Sequence, residues 1–528
     1  MILSLTDLPK DIQTLHQMIQ DLVEVLEQKN HENDRLRHQI EQIKKSLYGR
    51  RSEKITGPQW LFEYAGLLAA IEQASEETPD EKASPPEEKE KPSRSRKTGK
   101  RLQINKPLPI VKSEYALSDE NCTCEKCGSP LQKMGEETTR QLDYRPASFY
   151  IHTHVRIKYS CPGCKETIVL ADMPSQPIEK GLPGPGLLAN ILVNKYCDHL
   201  PLYRQEQIYE REGIEIPRQT MCDWIAGCAN LLRPIYDWMQ KDLLASEVIH
   251  TDDTPVRVQD QNREGTRQGR FWVYVGDRNH PQVLYDYTPN RCREGPLEFL
   301  KTYQGYLQAD AYAGYDELYR SGRVIEVGCM AHCRRKFWDA RDTAIAAAHT
   351  AIGYIGRLYQ IEREAKAEEE KQELTGADQI AYRYQMRQEK AVSILNEFHA
   401  WLLAQETQHL PKSPMGEAIH YALAQWTALT RYLSDGKLAI DNNAAEQQMR
   451  PVAVGRRNWL FCGSDKGGDR AAIIYSLIQT CKRHGINPFD YFRDVLSRLA
   501  DYPINKIHEL TPLAWKESQR LNPDPPIQ

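Results

Sequence analysis

Between residues 246 and 340 short apolar runs and helical runs follow one another in an order that leaves few folds open. SEVIHTDDTPVRVQ (246–259) reads as an apolar strand with Asp252 and Asp253 at its end. GRFWVYVGD (269–277) and QVLYDYTP (282–289) read as two further strands joined by short polar turns. A helix is expected at GPLEFLKTY (295–303), then a strand at YLQADAYAGY (306–315) with Asp310 at its end. After a short helix, VIEVGCMAHCRRKFWDA (324–340) is expected as the last strand.

Three strands, a helix, a strand, a helix and a strand give the connectivity of a ribonuclease-H-like α/β core, in which the first and fourth strands lie side by side. Acids at the ends of those two strands would face each other across one metal site. A helix packed beside them can add a third acid, and Glu446 is the candidate, in DGKLAIDNNAAEQQMRPVAVGRRNWLFCGSDKGGDRAA (435–472). There Asp441-Asn442-Asn443 resemble a helix start, and Pro451 is expected to end the helix. Three converging carboxylates suit Mg2+ or Mn2+ rather than zinc. Two such ions can activate a water or a 3′-hydroxyl for in-line attack on a phosphodiester. The cations around Glu446 then suit a polyanionic substrate. Asn442, Asn443 and Arg450 lie one turn from Glu446, while Arg456, Arg457 and Arg470 would follow the DNA backbone farther on. On this segment alone the alternative is a solvated helix with a capping Asp and a Glu–Arg pair.

The N-terminal part reads differently. From Ile12 to Leu47, Leu and Ile recur at alternating steps of three and four, an a/d register with Asn33 at an a position. This implies a coiled coil and a homodimer, against an amphipathic helix packed on its own chain. YGRRSEK (48–54) adds Arg50 and Arg51 as a basic cluster able to touch phosphates. The acidic and then basic Pro/Ser-rich stretch 72–106 cannot bury a core and is expected to be a disordered linker.

Two C-x-x-C pairs, Cys124/Cys127 and Cys161/Cys164, suit one structural zinc ion in a ribbon, with Cys122 as a fifth candidate. The segment between them, 148–160, alternates, so that Phe149, Ile151, Val155, Ile157 and Tyr159 would share one face. Tyr150, His152, His154, Arg156 and Lys158 would form a basic face open to DNA or simply to solvent. Helices are expected at about 186–195, 201–212 and 218–232. The Pro217 turn matches a helix-turn-helix with Arg218, Gln219 and Thr220 opening the recognition helix, or a plain three-helix bundle.

HTDDTPV (250–256), LQADAYAGY (307–315) and IDNNAAEQQMRP (440–451) resemble the three acid motifs of the IS66 family of bacterial insertion-sequence transposases, the large DDE protein. GRRNWLFCGSDKGGDRAAIIYSLIQTCKRHGINPFDYF (455–492), KYCDHLPLYRQEQIYEREGIEI and the zinc knuckles extend that resemblance over nearly the whole chain. It implies Asp252, Asp310 and Glu446 as the catalytic acids, although Asp253 stands where the family commonly has Glu. It also implies terminal inverted repeats and target DNA as partners, with small accessory proteins from the same element. Cys329 and His332 resemble a C-x-x-H that follows the second Asp in several transposase families and could order the DNA strand; a buried Cys and a satisfied His at a strand end are the equal alternative. Trp459 and Phe461 could stack on an unpaired base, although aromatic residues so placed are more often core.

The expected organisation is a coiled coil at 1–56, the linker, a zinc ribbon at 107–178 and a helix-turn-helix-like region at 179–240. The catalytic core would take 241–340 and 433–500, split by a helical insertion at 341–432, with a C-terminal tail at 501–528. With no apolar run of membrane-spanning length or signal type, the cytoplasm is the expected location and no membrane partner is implied. A nuclease that cuts without joining, or a DNA-binding regulator with an inert core, would share parts of this pattern.

Overall fold

The computed structural model describes residues 149–155, 158–160, 168–170, 176–178, 183–260 and 264–521. The coiled coil, the linker, Arg50, Arg51, Arg156 and all five candidate zinc cysteines lie outside the described residues. Near the start, β1 (Lys158–Ser160) pairs antiparallel with β2 (Ile168–Leu170), and Cys161 and Cys164 fall in sequence between the two strands. The alternating run did not become one long strand. Residues 149–155 are irregular, and Ile151 and Val155, expected on a covered face, are exposed because no strand flanks them among the described residues.

Three helices follow, α1 (Pro185–Tyr196), α2 (Leu202–Arg211) and α3 (Arg218–Leu243). Pro217 precedes the first turn of α3, where a fixed φ favours initiation. The helix then runs through Pro234 well past residue 232, because its face from Met221 to Leu243 is buried throughout. Tyr236 donates to the Tyr285 carbonyl in the sheet at 2.8 Å. Residues from Leu188 to Leu243 share one hydrophobic core with the sheet, so position 240 is no packing boundary.

The sheet holds β3 (Val248–Gln259), β4 (Thr266–Val275), β5 (Val283–Thr288), β6 (Gly305–Gln308) and β7 (Val324–Val327) in the order β5-β4-β3-β6-β7. β4 is antiparallel to both β3 and β5, while β6 runs parallel to β3 and β7. Its first and fourth strands are therefore neighbours, as the connectivity required. Short helices α4 (Glu294–Phe299) and α5 (Asp316–Arg320) make the crossovers. The expected last strand 324–340 is corrected: it ends at Val327, and Met330–Ala340 form helix α6. Met330, Cys333, Phe337 and Ala340 are buried at steps of three and four, a helical period.

From there the chain leaves the sheet. Helices α7 (Ile345–Lys371), α8 (Gly376–Met386), α9 (Val392–Glu406), α10 (Pro414–Ala424) and α11 (Trp426–Thr430) build the insertion. They pack on α6 around a second core from Met330 to Ile440. Inside it, buried Arg387 pairs with Glu362 at 2.8 Å and donates to the Tyr432 and Asp435 carbonyls, tying the insertion to the segment that leads back. The chain returns through α12 (Asn443–Trp459), α13 (Asp465–Arg483) and α14 (Pro488–Arg498). The supposed tail is partly core: Leu510 is buried, Tyr491 donates to its carbonyl, and α15 (Pro512–Leu521) ends the described chain. Among the described residues no helix is long and apolar enough to cross a membrane.

Candidate active site

The insertion separates Asp310 from Glu446 in sequence, so the site exists only if the return segment is pinned beside β6. Three side chains do this. Fully buried Gln308 donates to the Gly328 carbonyl at 3.1 Å and the Ala439 carbonyl at 2.7 Å. Cys329 Sγ accepts the Asn442 amide at 3.2 Å. The Asn442 side chain, 1% exposed, donates from Nδ2 to the Thr251 carbonyl at 2.7 Å. That bond fixes the amide's orientation, leaving Oδ1 3.2 Å from His250 Nδ1, which must carry the hydrogen. Burial lowers the His250 pKa to about 4, so the imidazole is neutral and suits this role.

With the return pinned, the acids assemble. The last parallel pair of β3 and β6 is His250 opposite Gln308. Extending that register by two residues sets Asp252 beside Asp310. Asp252 lies within β3, opposite Val273 of β4, rather than at the strand's end. Glu446 sits in the first turn of α12, which packs on β3 and β4 through Ala445, Met449, Val452 and Gly455. Asp252 has one hydrogen bond, from the Asp253 amide at 2.8 Å. Burial raises its pKa to about 7, and the charges of Asp310, Asp253 and Glu446 push the same way. Asp310 is also raised, mainly by burial, with Asp253 adding to the shift and His332 and Arg291 opposing it.

Asp253 is in a different state although it is the next residue. Its side chain is 5% exposed and bound by Arg270 at 2.6 Å and Arg291 at 2.8 Å. The Arg291 guanidinium lies 4.3 Å from the Tyr312 ring centroid, a cation–π contact that holds it next to Asp310. Sequence reasoning missed Arg270 and Arg291. Their signal was slight, since only the pairing of Asp253 with position 272 brings Arg270 near.

His332, in the first turn of α6, has Nδ1 3.7 Å from Glu446 Oε1, and neither atom has a hydrogen-bond partner among the described residues. Cys329, His332 and Glu446 are, among the described residues, the set of three potential ligand atoms that lie within 4.8 Å of one another. The Cys329 thiol is pushed up to about 12 by burial and already accepts the Asn442 amide, so it is a structural group at this site. Farther along α6, Arg335 and Lys336 are exposed, and Lys336 lies 5.6 Å from the Tyr421 ring centroid.

Several of the residues expected at DNA divide on inspection. Asn442 is buried and fully engaged, so it is corrected from a DNA contact to an internal clamp. Asn443 is exposed, but its side chain donates to Asp441 at 2.6 Å. Asp441 also accepts the Asn443 amide at 3.1 Å and the Tyr359 hydroxyl at 2.9 Å. Arg450 and Arg457 are exposed and Arg470 is half-buried. α12 does not end at Pro451 but continues to Trp459, since its buried face outweighs the lost amide donor. Arg456 therefore stands on the helix and donates to Thr254 Oγ1 at 2.6 Å and to the Pro255 carbonyl, an internal brace rather than a free cation. At α3, Arg218 pairs with Glu206 at 3.0 Å and Gln219 donates to Asp223, both exposed. Lys158 opens β1.

Family models match along most of the chain. One described as "Transposase IS66 family" covers residues 180–470, and one described as "IS66 C-terminal element" covers 476–513. A "zinc-finger binding domain of transposase IS66" covers 121–165, a span that includes all five candidate zinc cysteines. "Transposase C of IS166 homeodomain" covers 35–112, which takes in the stretch expected as linker. The chain is also similar to two proteins of Sinorhizobium fredii (strain NBRC 101917 / NGR234). The uncharacterized protein y4hP is 33% identical, over 91% of this chain and 88% of its own length. The uncharacterized protein y4jD is 29% identical, over 97% of this chain and 98% of its own.

Proposed function

The chain belongs to the IS66 transposase family, and on that premise we propose that it is a DDE transposase whose ribonuclease-H-like core cuts and joins DNA at Asp252, Asp310 and Glu446. Membership makes it a DNA-processing enzyme with DNA as its partner. The observation that supports the finer reading is the β3–β6 register, which, carried two residues past His250 and Gln308, brings Asp252 level with Asp310, with Glu446 close enough to raise the Asp252 pKa. The donors are all carboxylate oxygens, and among the described residues Asp252 has no cation partner in contact, so the set fits Mg2+ or Mn2+. When bound, two such ions would supply a nucleophilic hydroxide or 3′-alkoxide and stabilise the leaving oxygen.

The chain's own groups do the rest. Asp252, Asp310 and Glu446 hold the cations, and His332 faces Glu446 and orients it. Arg291, stacked on Tyr312 beside Asp310, presents a half-exposed guanidinium to a phosphate entering the cleft. Arg335 and Lys336 on α6 and Arg450 and Arg457 on α12 supply backbone contacts. In this reading a zinc ion on Cys124, Cys127, Cys161 and Cys164 orders the ribbon, whose two-stranded hairpin brackets the second Cys pair. That N-terminal half binds the terminal inverted repeats as a homodimer.

The test uses the full chain with its element's ends and Mg2+. Single replacement of Asp252, Asp310 or Glu446 by Ala should abolish strand cleavage while DNA binding persists. Cleavage that survives Asp252→Ala but is lost in Asp253→Asn would overturn the assignment. Cutting without any joined product would reduce the protein to a nuclease.

A further inference from the structure

α12 lies along β3 in the same sense, running from the acids toward the helix's C-terminal end. Glu446 is near Asp252, Arg456 bonds at Thr254 and Pro255, and Cys462 exchanges hydrogen bonds of 2.8 Å with Arg257 and Gln259. At the C-terminal end of the helix lies a cavity of about 400 Å3 lined by Val256, Arg257, Gln268, Arg456, Leu460 and Phe461 among others. Its volume is toward the low end of small-ligand sites, roughly 300–1,000 Å3.

The wall of that cavity is built at a cost. Leu460 has φ 66° and ψ −47°, and the Phe461 amide donates to the Trp459 carbonyl at 2.8 Å, which closes a γ-turn of the rare, strained hand. The turn is clamped one residue later, where the Cys462 amide donates to the Arg257 carbonyl and its carbonyl accepts from the Gln259 amide. Its result is to hold Leu460 62% and Phe461 44% exposed, two large apolar side chains that a relaxed turn could have buried. Guanidinium groups lie by them: Arg257 is exposed at the cavity, Arg456 lines it, and Arg457 is exposed on the adjoining turn of α12. A flat apolar ring between guanidinium groups suits an aromatic anion, and a nucleotide is one.

We infer that this cavity receives a single unstacked nucleobase of the DNA strand that crosses the acids, with Phe461 stacking on the base and Arg257 beside its phosphate. The inference rests on the transposase reading above. Pro255 to Arg257 are three to five residues beyond Asp252, about 10–17 Å at the strand rise of about 3.3 Å. At about 3.4 Å per step of a stacked strand, that corresponds to at most roughly three to five nucleotides from the reacting phosphate, and to fewer where the strand is unstacked and extended.

The experiment uses the full chain and a branched duplex with a single-stranded arm that carries 5-iodouracil at one arm position at a time. Irradiation should cross-link one position, or two adjacent ones, to the peptide containing Phe461, with the other positions falling elsewhere. Phe461→Ala should weaken binding of the arm roughly 5- to 100-fold, in the range of a lost base–aromatic stack, while Phe461→Trp restores it. The melting temperature of Phe461→Ala should match wild type, since the ring is half exposed. Cross-links that never reach Phe461, or an Ala variant with unchanged affinity, overturn the inference and leave the acid site untouched. A wild-type protein that binds no DNA at all overturns the transposase reading, and this one with it.

Discussion

Replacing Asp252 by Asn should make the protein more stable in the absence of Mg2+, the reverse of what a half-buried, hydrogen-bonded side chain usually does. The folded protein holds the Asp252 proton up to about pH 7, against an ordinary value of 3.8. An acid with a raised folded pKa stabilises nothing at neutral pH: the folded state loses stability as pH climbs from about 4 through about 7, where the carboxylate must ionise among Asp310, Asp253 and Glu446. At about 1.36 kcal/mol per pH unit, the ionised group costs the folded state about 4 kcal/mol, and water in the cleft reduces this toward about 2 kcal/mol. Asn is nearly isosteric, keeps an oxygen for the Asp253 amide and carries no charge. At about 2–4 °C per kcal/mol for a domain of 150–250 residues, the melting temperature at pH 8 should rise by several degrees. The assay is thermal unfolding in magnesium-free buffer across pH 5 to 8, repeated with Mg2+. The gain should shrink toward pH 5, where wild-type Asp252 is protonated. Added Mg2+ should raise the wild-type melting temperature and leave Asp252→Asn nearly unmoved. A variant equally or less stable than wild type at pH 8, with no pH dependence of the difference, would show that Asp252 does not sit in a repulsive acid cluster.

Asn442→Ala should lower stability by about 2–3 kcal/mol, because it leaves the buried Thr251 carbonyl and His250 without partners; an unchanged melting temperature with lost DNA binding would return Asn442 to the DNA surface. Arg456→Ala should likewise destabilise, through the Thr254 and Pro255 contacts, whereas Arg450→Ala should keep the melting temperature and slow strand cleavage at saturating DNA. Equal effects of the two on stability would refute the distinction. One zinc ion per chain is expected, and Cys124→Ser with Cys127→Ser should lose it together with end recognition; metal analysis that finds zinc undiminished in that double variant would remove the ribbon.

The parts of this fold legible in the sequence were those set by local pattern. The strand and helix order from Val248 to Val327 follows from alternation and turn residues, and α1 and α2 fall within a residue of expectation. Elements that depend on long-range packing read less well. The run after Val327 continues an apolar, β-branched VIEV, which favours a strand, while Met330, Cys333, Phe337 and Ala340 carry a helical spacing in the same sequence. Pro451 looked like a stop signal, and it is overridden because Ala445, Met449, Val452 and Gly455 bury one continuous face on β3 and β4. Asn442 looked like a DNA contact from its neighbours in sequence. Its partners, Thr251, His250 and Cys329, are over a hundred positions away, so only the folded chain reveals a clamp.

Asp252 and Asp253 differ in the face of β3 that they occupy. In sequence they are adjacent acids and spacing cannot rank them. On a strand, neighbours point to opposite faces, so only one of them can face α12 and Glu446. Thr254, which shares the parity of Asp252, is the residue that Arg456 of α12 reaches, and this puts Asp252 on the α12 face. Asp253 on the other face has two arginines at hydrogen-bond distance, so its charge is already neutralised. A metal ligand needs the opposite condition, an anion whose charge nothing else has claimed. Asp252 meets it, and the two guanidinium groups on Asp253 keep the adjacent anion from adding a fourth full charge to the cluster. Removing that neutralisation by Arg270→Ala should therefore raise the Asp252 pKa further and weaken Mg2+ binding at neutral pH, read as a shift to higher pH of the magnesium-dependent gain in melting temperature. A shift to lower pH would mean that Arg270 repels the cation more than it screens Asp253, and the ranking of the two acids would lose its electrostatic basis.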